Sequence, residues 1–252
     1  MTECSVVSWN AQALIHTNIT KRDIKLSILK PYLSKRSLIA VQETHGTSQM
    51  IHSLVNSTGA KYDVYHSSIP DSSIAGGIAF LIPKFVPSSD QDTTKPLIKF
   101  SEIIPGRAAE LRVRDPSMAF LHIYLNIHNH DLSAEDRRRL KATWQVALNE
   151  ANNDPDHVML FMLGDFNISE LPARNLLRPV EVPAHERYQF QPTFWKQLFR
   201  PLVEICTPST THRCYANNTE SSIDRFFTSF QAHNLTHIET IMVADASPLE
   251  RK

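Results

Sequence analysis

Short apolar runs alternate with polar, turn-prone stretches along most of the chain, and the runs are more often of strand length than of helix length. Cys4 to Trp9, with Val6 and Val7 inside it, reads as a first strand ending at Asn10-Ala11-Gln12. Leu26, Leu29 and Leu33 recur at helical spacing, with Pro31 placed to interrupt or bend that helix. Leu38-Ile39-Ala40-Val41 is a second strand, closing on Gln42-Glu43-Thr44-His45. Gly76-Gly77 reads as a turn opening into a strand over Ile78 to Ile82 that Pro83 stops. Further strands are expected over Ala108 to Val113 and Ala119 to His128, the second running out into Asn129-His130-Asp131. Ser133-Ala134-Glu135-Asp136 has the form of a capping box, and behind it Leu140, Trp144, Ala147, Leu148 and Ala151 share one helical face. Val158 to Leu163 suits a buried strand and leads into Gly164-Asp165-Phe166-Asn167; β-type runs follow at Ser222 to Phe227 and His237 to Val243. Strands interleaved with fewer helices predict an α/β fold.

Length and composition narrow this picture. The 252 residues hold no low-complexity tract and no repeat at a solenoid or propeller period, so a single domain over 1–252 is expected. Val158 to Leu163 is the longest apolar run and falls far short of the roughly 20 residues of a membrane helix. Met1-Thr2-Glu3-Cys4 lacks the basic and long apolar regions of a secretory signal, so the mature chain is expected to start there. Cys4, Cys206 and Cys214 form no C-x-x-C pair, which points away from zinc and disulfides and towards a reducing, intracellular setting. The 26 basic residues balance 26 acidic ones, so bulk charge does not drive nucleic-acid binding and any such partner must be held by local patches.

Acidic, amide and imidazole residues recur where an apolar run ends: Asn10, Glu43, His128, Asp165, Asn167 and Asp245. Strand ends on one rim can converge on a common pocket. Glu43 and Asp245 offer hard oxygen ligands suited to magnesium, and Asp165 is a carboxylate able to orient or deprotonate water; together these suit phosphate ester hydrolysis. Each residue alone has an ordinary reading. Gly164-Asp165-Phe166-Asn167 could be a turn after a strand, Glu43 a solvated charge, and Asp224 a partner of Arg225. Arg137-Arg138-Arg139 with Lys141 fits a solvated helix face better than a phosphate patch. His16, His52, His66, His157, His185, His233 and His237 follow no metal-ligand spacing, and His130 reads as a loop residue.

Taken in order, Ser8-Trp9-Asn10, Gln42-Glu43-Thr44, Gly76-Gly77, Asn126-Ile127-His128, Gly164-Asp165-Phe166-Asn167, Ser221-Ser222-Ile223-Asp224-Arg225 and Asp245-Ala246-Ser247-Pro248-Leu249 resemble the motifs of the endonuclease/exonuclease/phosphatase superfamily. Gln42-Glu43-Thr44-His45-Gly46 and the Ser221 to Arg225 stretch are most similar to the apurinic-type endonuclease domains of non-LTR retrotransposons. The resemblance implies a four-layer α/β sandwich of two packed β-sheets flanked by helices. It also implies metal-dependent cleavage of DNA phosphodiesters with Mg2+, for which Mn2+ can substitute. Glu43 would bind the metal with help from Asn10, Asp245 would complete the metal end, and Asp165 and Asn167 would align nucleophile and phosphate.

By the same resemblance Asp224 would orient a histidine at position 246, where the chain has Ala246. An alanine methyl neither hydrogen-bonds a phosphate oxygen nor carries a proton. Loss of such a member costs about 10³ to 10⁴ in rate in comparable catalytic units, so an inactivated enzyme is expected. The intact Asp245, Ser247, Pro248 and Leu249 around it favour one deliberate substitution over decay. His128 stands where apurinic endonucleases carry tyrosine; Tyr124, an even four residues earlier, is the alternative at that position. Thr211, Ser221 and Arg107 are candidate contacts to the DNA backbone. The resemblance further implies a monomer excised from a polyprotein with a reverse transcriptase downstream, acting in the nucleus. A phosphatase or phospholipase of the same superfamily, and a non-catalytic nucleic-acid or protein-binding module, are the competing expectations.

Overall fold

The computed structural model describes residues 5–15, 17–70, 76–84, 98–113, 117–125, 132–154, 158–166, 192–199, 202–204, 212–214, 219–221 and 224–229. In chain order the elements are β1 (Val6–Asn10), α1 (Ile19–Ser34), β2 (Leu38–Gln42), α2 (Ser48–Asn56), β3 (Tyr62–Ser67), β4 (Ile78–Pro83), β5 (Ile98–Ile104) and β6 (Ala108–Val113). They continue with β7 (Met118–Tyr124), α3 (Ala134–Asn153), β8 (Met159–Asp165), α4 (Pro192–Phe199), β9 (Val203–Glu204), β10 (His212–Cys214), β11 (Thr219–Ser221) and β12 (Asp224–Thr228).

Two mixed sheets carry the architecture. One has the order β1-β2-β4-β3 and the other β5-β6-β7-β8-β12-β9, with β10 and β11 forming a separate hairpin. The apolar faces of the sheets meet through Leu38, Ala40 and Phe80 on one side and Leu111, Phe120, Phe161 and Leu163 on the other. Phe120 and Phe161 stack at 4.8 Å, and Phe80 meets Phe120 edge-on. Outside the six-stranded sheet, α3 buries Leu140, Trp144, Ala147, Leu148 and Ala151 against Leu121, Ile123 and Met162. Outside the other, α1 and α2 bury Leu29, Leu33, Ile51, Leu54 and Val55 against Ile39, Val41 and Leu81. Helix, sheet, sheet, helix is the four-layer α/β sandwich the resemblance implied. No described helix is long and apolar enough to cross a membrane.

Local expectations meet mixed outcomes. Ser133 caps α3 by accepting from the Asp136 amide at 3.0 Å, and its hydroxyl reaches the Asp136 carboxylate at 2.8 Å. Pro31 does not end α1, which continues to Ser34, although the ring leaves the Ser27 carbonyl without the bond that an N–H at position 31 would give. Pro83 does end β4, as expected, and pairs with Tyr62 as its last residue. The strand expected to reach His128 ends at Tyr124. The run His237 to Val243 lies outside the described residues.

What matters for the site is strand direction. β1 runs parallel to β2 and β7 parallel to β8, so Asn10, Gln42, Tyr124 and Asp165 are all final residues of strands. β12 runs antiparallel to β8 with Asp224 opposite Asp165, so its first residue reaches the rim where β8 ends.

Candidate active site

The first half of the rim comes from β1 and β2. Asn10 ends β1, and Glu43 follows β2 at φ +51°. Gln12, Ala13 and His45 also have left-handed backbone, at φ +44°, +70° and +48°. Backbone bonds tie these two loops together: Ala13 N to Glu43 O at 2.8 Å, Ile15 N to Thr44 O at 2.9 Å, and Thr44 N to Gly77 O at 3.1 Å. Lys25 of α1 adds bonds from its ammonium to the carbonyls of Gln12 and Ala13. Gly77 is needed here, since a Cβ on it would lie 2.4 Å from Thr44 Oγ1.

The second half comes from β7, β8 and β12. Gly164 pairs with Ile123 at φ +138°, and a Cβ would fall 1.9 Å from the Ile123 carbonyl oxygen. Only glycine allows β8 to lie that close to β7 just before Asp165. Asp165 is 1% exposed.

The halves meet at Asn10. Its amide nitrogen donates to Glu43 Oε1 at 3.0 Å and to Asp165 Oδ2 at 2.8 Å, while its oxygen accepts from the Gln12 amide at 3.1 Å. One side chain therefore gathers a carboxylate from each sheet. Charge-assisted bonds of this kind are stronger than neutral ones. Tyr124, also buried, has its hydroxyl within reach of the Glu43 charge. Burial first, then the charges of Glu43 and Asp165, push that hydroxyl well above its ordinary range, against a smaller opposing effect of Arg107. Arg107 thus faces the same group from the β5–β6 turn, and its carbonyl accepts from Tyr124 N at 2.7 Å. His45 Nε2 lies 3.9 Å from Glu43 Oε2.

Behind this loop His66 bonds Thr44 Oγ1 through Nε2 and Ser48 Oγ through Nδ1, each at 3.0 Å. Burial, with a smaller effect of His52, pulls its pKa down to about 4. It is a satisfied bracket, as expected from its lack of ligand spacing.

Of the residues singled out in the sequence, Asn10, Glu43 and Asp165 are brought into contact, with Asp224 opposite Asp165 in the ladder and Arg107 beside Tyr124. Ser221 ends the β10–β11 hairpin opposite His212. His128, Asn167, Thr211, Asp245 and Ala246 lie outside the described residues. The Arg225 guanidinium bonds both oxygens of Glu204, at 3.1 and 3.4 Å. The arginines of α3 stay local: Arg138 bonds the Ala134 carbonyl and Arg139 pairs with Glu135. Tyr124 stands against Glu43, and the even spacing from His128 was the signal that could find it.

Among the described residues no three of His, Cys, Asp and Glu converge as an ion cage. Even so, the donor set fits magnesium, which takes one or two carboxylates and otherwise keeps water. Glu43 and Asp165 present two carboxylates to one amide nitrogen, the crowding of negative oxygen that a hard cation relieves.

The two-sheet sandwich thus carries a pair of carboxylates, one from each sheet, on a single rim. A family model described as the endonuclease/exonuclease/phosphatase family matches residues 7–237, and the chain belongs to that family. Among solved structures, an AP endonuclease from Archaeoglobus fulgidus is similar in fold, with a TM-score of 0.55 at 13% identity over 90% of this chain and 87% of that one. A 3′-5′ exonuclease from Neisseria meningitidis gives 0.52 at 14% identity over 88% and 86%, as does a Neisseria 3′ phosphatase bound to product DNA hairpin. Comparison with curated protein sequences returns no match.

Proposed function

We propose that this chain is a divalent-metal-dependent DNA endonuclease of the retrotransposon type, disabled by alanine at position 246. The observation that carries the reading is the Asn10 amide holding Glu43 of one sheet and Asp165 of the other on a single rim. Glu43 would hold the cation, with Asp245 as a further ligand and Asn10 fixing the orientation of both described carboxylates. When bound there, a divalent cation neutralises the phosphate and stabilises the leaving oxygen. Asp165, buried and oriented by Asn10, is placed to hold an attacking water or take its proton, with Asn167 beside it in sequence. Tyr124, kept protonated by burial and by two neighbouring carboxylates, is an O–H donor at neutral pH. Arg107, with Thr211 and Ser221, would contact the DNA backbone, and His128 the scissile phosphate.

Asp224 would hold the histidine that position 246 lacks, which leaves the site without that hydrogen bond to a phosphate oxygen and without that proton carrier. The neighbours with DNA-directed activities support a DNA substrate; the motifs Gln42 to Gly46 and Ser221 to Arg225 support the retrotransposon type. On this reading the domain acts as a monomer, in the nucleus, alongside a reverse transcriptase of the same polyprotein.

Nicking of supercoiled plasmid tests it. Ala246→His should gain roughly 10³-fold or more over the parent, in magnesium and not in chelator. Release of phosphate from small esters without nicking would move the chain to the phosphatase reading. No activity of either kind, together with no metal-induced rise in melting temperature, would leave a binding module.

A further inference from the structure

One polar pair interrupts the apolar contact between the two sheets. Gln42, the last residue of β2, and His122, in β7, are both fully buried. The Gln42 amide nitrogen donates to His122 Nε2, joining the four-stranded sheet to the six-stranded one, and also reaches Ser8 Oγ of β1 at 3.2 Å. The Phe80 ring packs edge-on against the imidazole, with centroids 5.1 Å apart. Among the described residues Gln42 Oε1 and His122 Nδ1 find no hydrogen-bond partner. A buried polar atom in that condition is destabilising, because it has lost water without gaining a partner. Apolar side chains of similar size would fill the space without that cost, so core stability does not account for the pair.

Its position does. Gln42 directly precedes Glu43. His122 lies two residues before Tyr124 and so faces the same side of β7. The His122–Gln42 bond is sealed in the core, and one step further along, at the rim, Tyr124 of β7 faces the charge of Glu43, which follows β2. Glu43 has left-handed backbone and lies outside the sheet ladder, its carbonyl held by the Ala13 and Leu14 amides, so Gln42 is the adjoining residue that ties it to the sheet.

We propose that the Gln42–His122 hydrogen bond is a brace between the sheets that sets where Glu43 stands relative to Tyr124 and Asp165, making both residues positioning residues for the cation-binding rim. The link to the cation rests on the metal-dependent reading above; the brace itself does not.

The test uses the whole chain with His122→Phe, His122→Gln, Gln42→Leu and the double variant His122→Phe with Gln42→Leu. Amide hydrogen exchange is measured without metal, and magnesium affinity by calorimetry. In His122→Phe the Thr44 and His45 amides, which bond Gly77 O and Gly76 O, should exchange at least tenfold faster while the amides of α3 keep their protection. The magnesium dissociation constant should rise about 10- to 100-fold, as for other groups that hold a ligand from behind. His122→Gln, which can still bond Gln42, should recover both readings towards the parent. Gln42→Leu should match His122→Phe, and the double variant should be no worse than either.

Unchanged protection at Thr44 and His45 in a folded His122→Phe overturns the brace. So does protection lost evenly through α3, additive loss in the double variant, or failure of both single variants to fold. A parent chain that binds no magnesium defeats the metal-dependent reading, and the exchange data still decide the brace.

Discussion

On the six-stranded sheet, Tyr124 and Asp165 end parallel strands, Asp224 opens an antiparallel one, and all three sit in ladder positions fixed by pairing along their strands. On the four-stranded sheet, Glu43 stands just beyond β2 among four residues with left-handed backbone, held by bonds between loops. A non-glycine residue in that region costs roughly 1–2 kcal/mol, so this half of the rim is strained where the other is relaxed. The difference shows two ways to place a carboxylate: by extending a strand until it ends at the right spot, or by bending a loop and tying it down.

The largest expected effect breaks the relaxed half. Gly164→Ala puts a Cβ into the Ile123 carbonyl and must part β7 from β8. A loss of about 4 kcal/mol or more is expected in denaturant unfolding, and a midpoint near the parent's would mean that the close approach of these strands is dispensable. Next is the link between halves. Asn10→Ala removes the donor shared by Glu43 and buried Asp165, so stability in chelator should fall by about 1–3 kcal/mol; equal stability would show that the amide holds nothing together.

Acid should act through the buried imidazoles. Burial holds His122 at about 3 and His66 at about 4, both below the ordinary 6.5. The unfolded chain therefore takes up protons that the native one refuses, and stability is complete above pH 6.5 and is lost progressively below it, towards pH 4 and 3. At pH 5.5 His122 should account for about 1 kcal/mol. Melting temperatures from pH 7 to 4 should fall less steeply in His122→Phe, and an equal slope would remove His122 from the account. The smallest effect lies in the strained half: Gln12→Gly relieves a left-handed residue whose neighbours bond only its backbone and should raise stability by about 0.5 kcal/mol. A loss there would mean that the loop is not strained.

The same contrast decides what the sequence discloses. Buried central strands announce themselves: Leu38–Gln42, Ile78–Pro83, Ala108–Val113 and Met159–Asp165 fall within a residue or two of the apolar runs that predict them. Among the strands missed, Tyr62–Ser67 and Ile98–Ile104 are outer strands of their sheets, half exposed and so mixed in composition, and Val203–Glu204, His212–Cys214 and Thr219–Ser221 are only two or three residues long. The nine-residue helix Ser48–Asn56 and the eight-residue helix Pro192–Phe199 were missed as well, being too short for their periodicity to stand out. Glu43 and Asp165 were legible because polar residues at the ends of apolar runs are conspicuous. The contact between them was not, since nothing in the spacing of Asn10 says that its amide crosses between sheets. His122 escaped for the opposite reason: one histidine inside Met118–Tyr124 looks like noise in a strand that is otherwise apolar but for its terminal tyrosine.

Asn10 and Asp165 are separated by 155 positions in the chain. A ribosome synthesising this protein releases the whole four-stranded sheet, with Asn10 and Glu43 in it, long before β8 appears. Contacts between such distant segments close late and slowly during folding. The emerging chain consequently carries only half of the rim until its second sheet has docked, and a fragment ending before β8 would lack the Asp165 carboxylate that Asn10 holds.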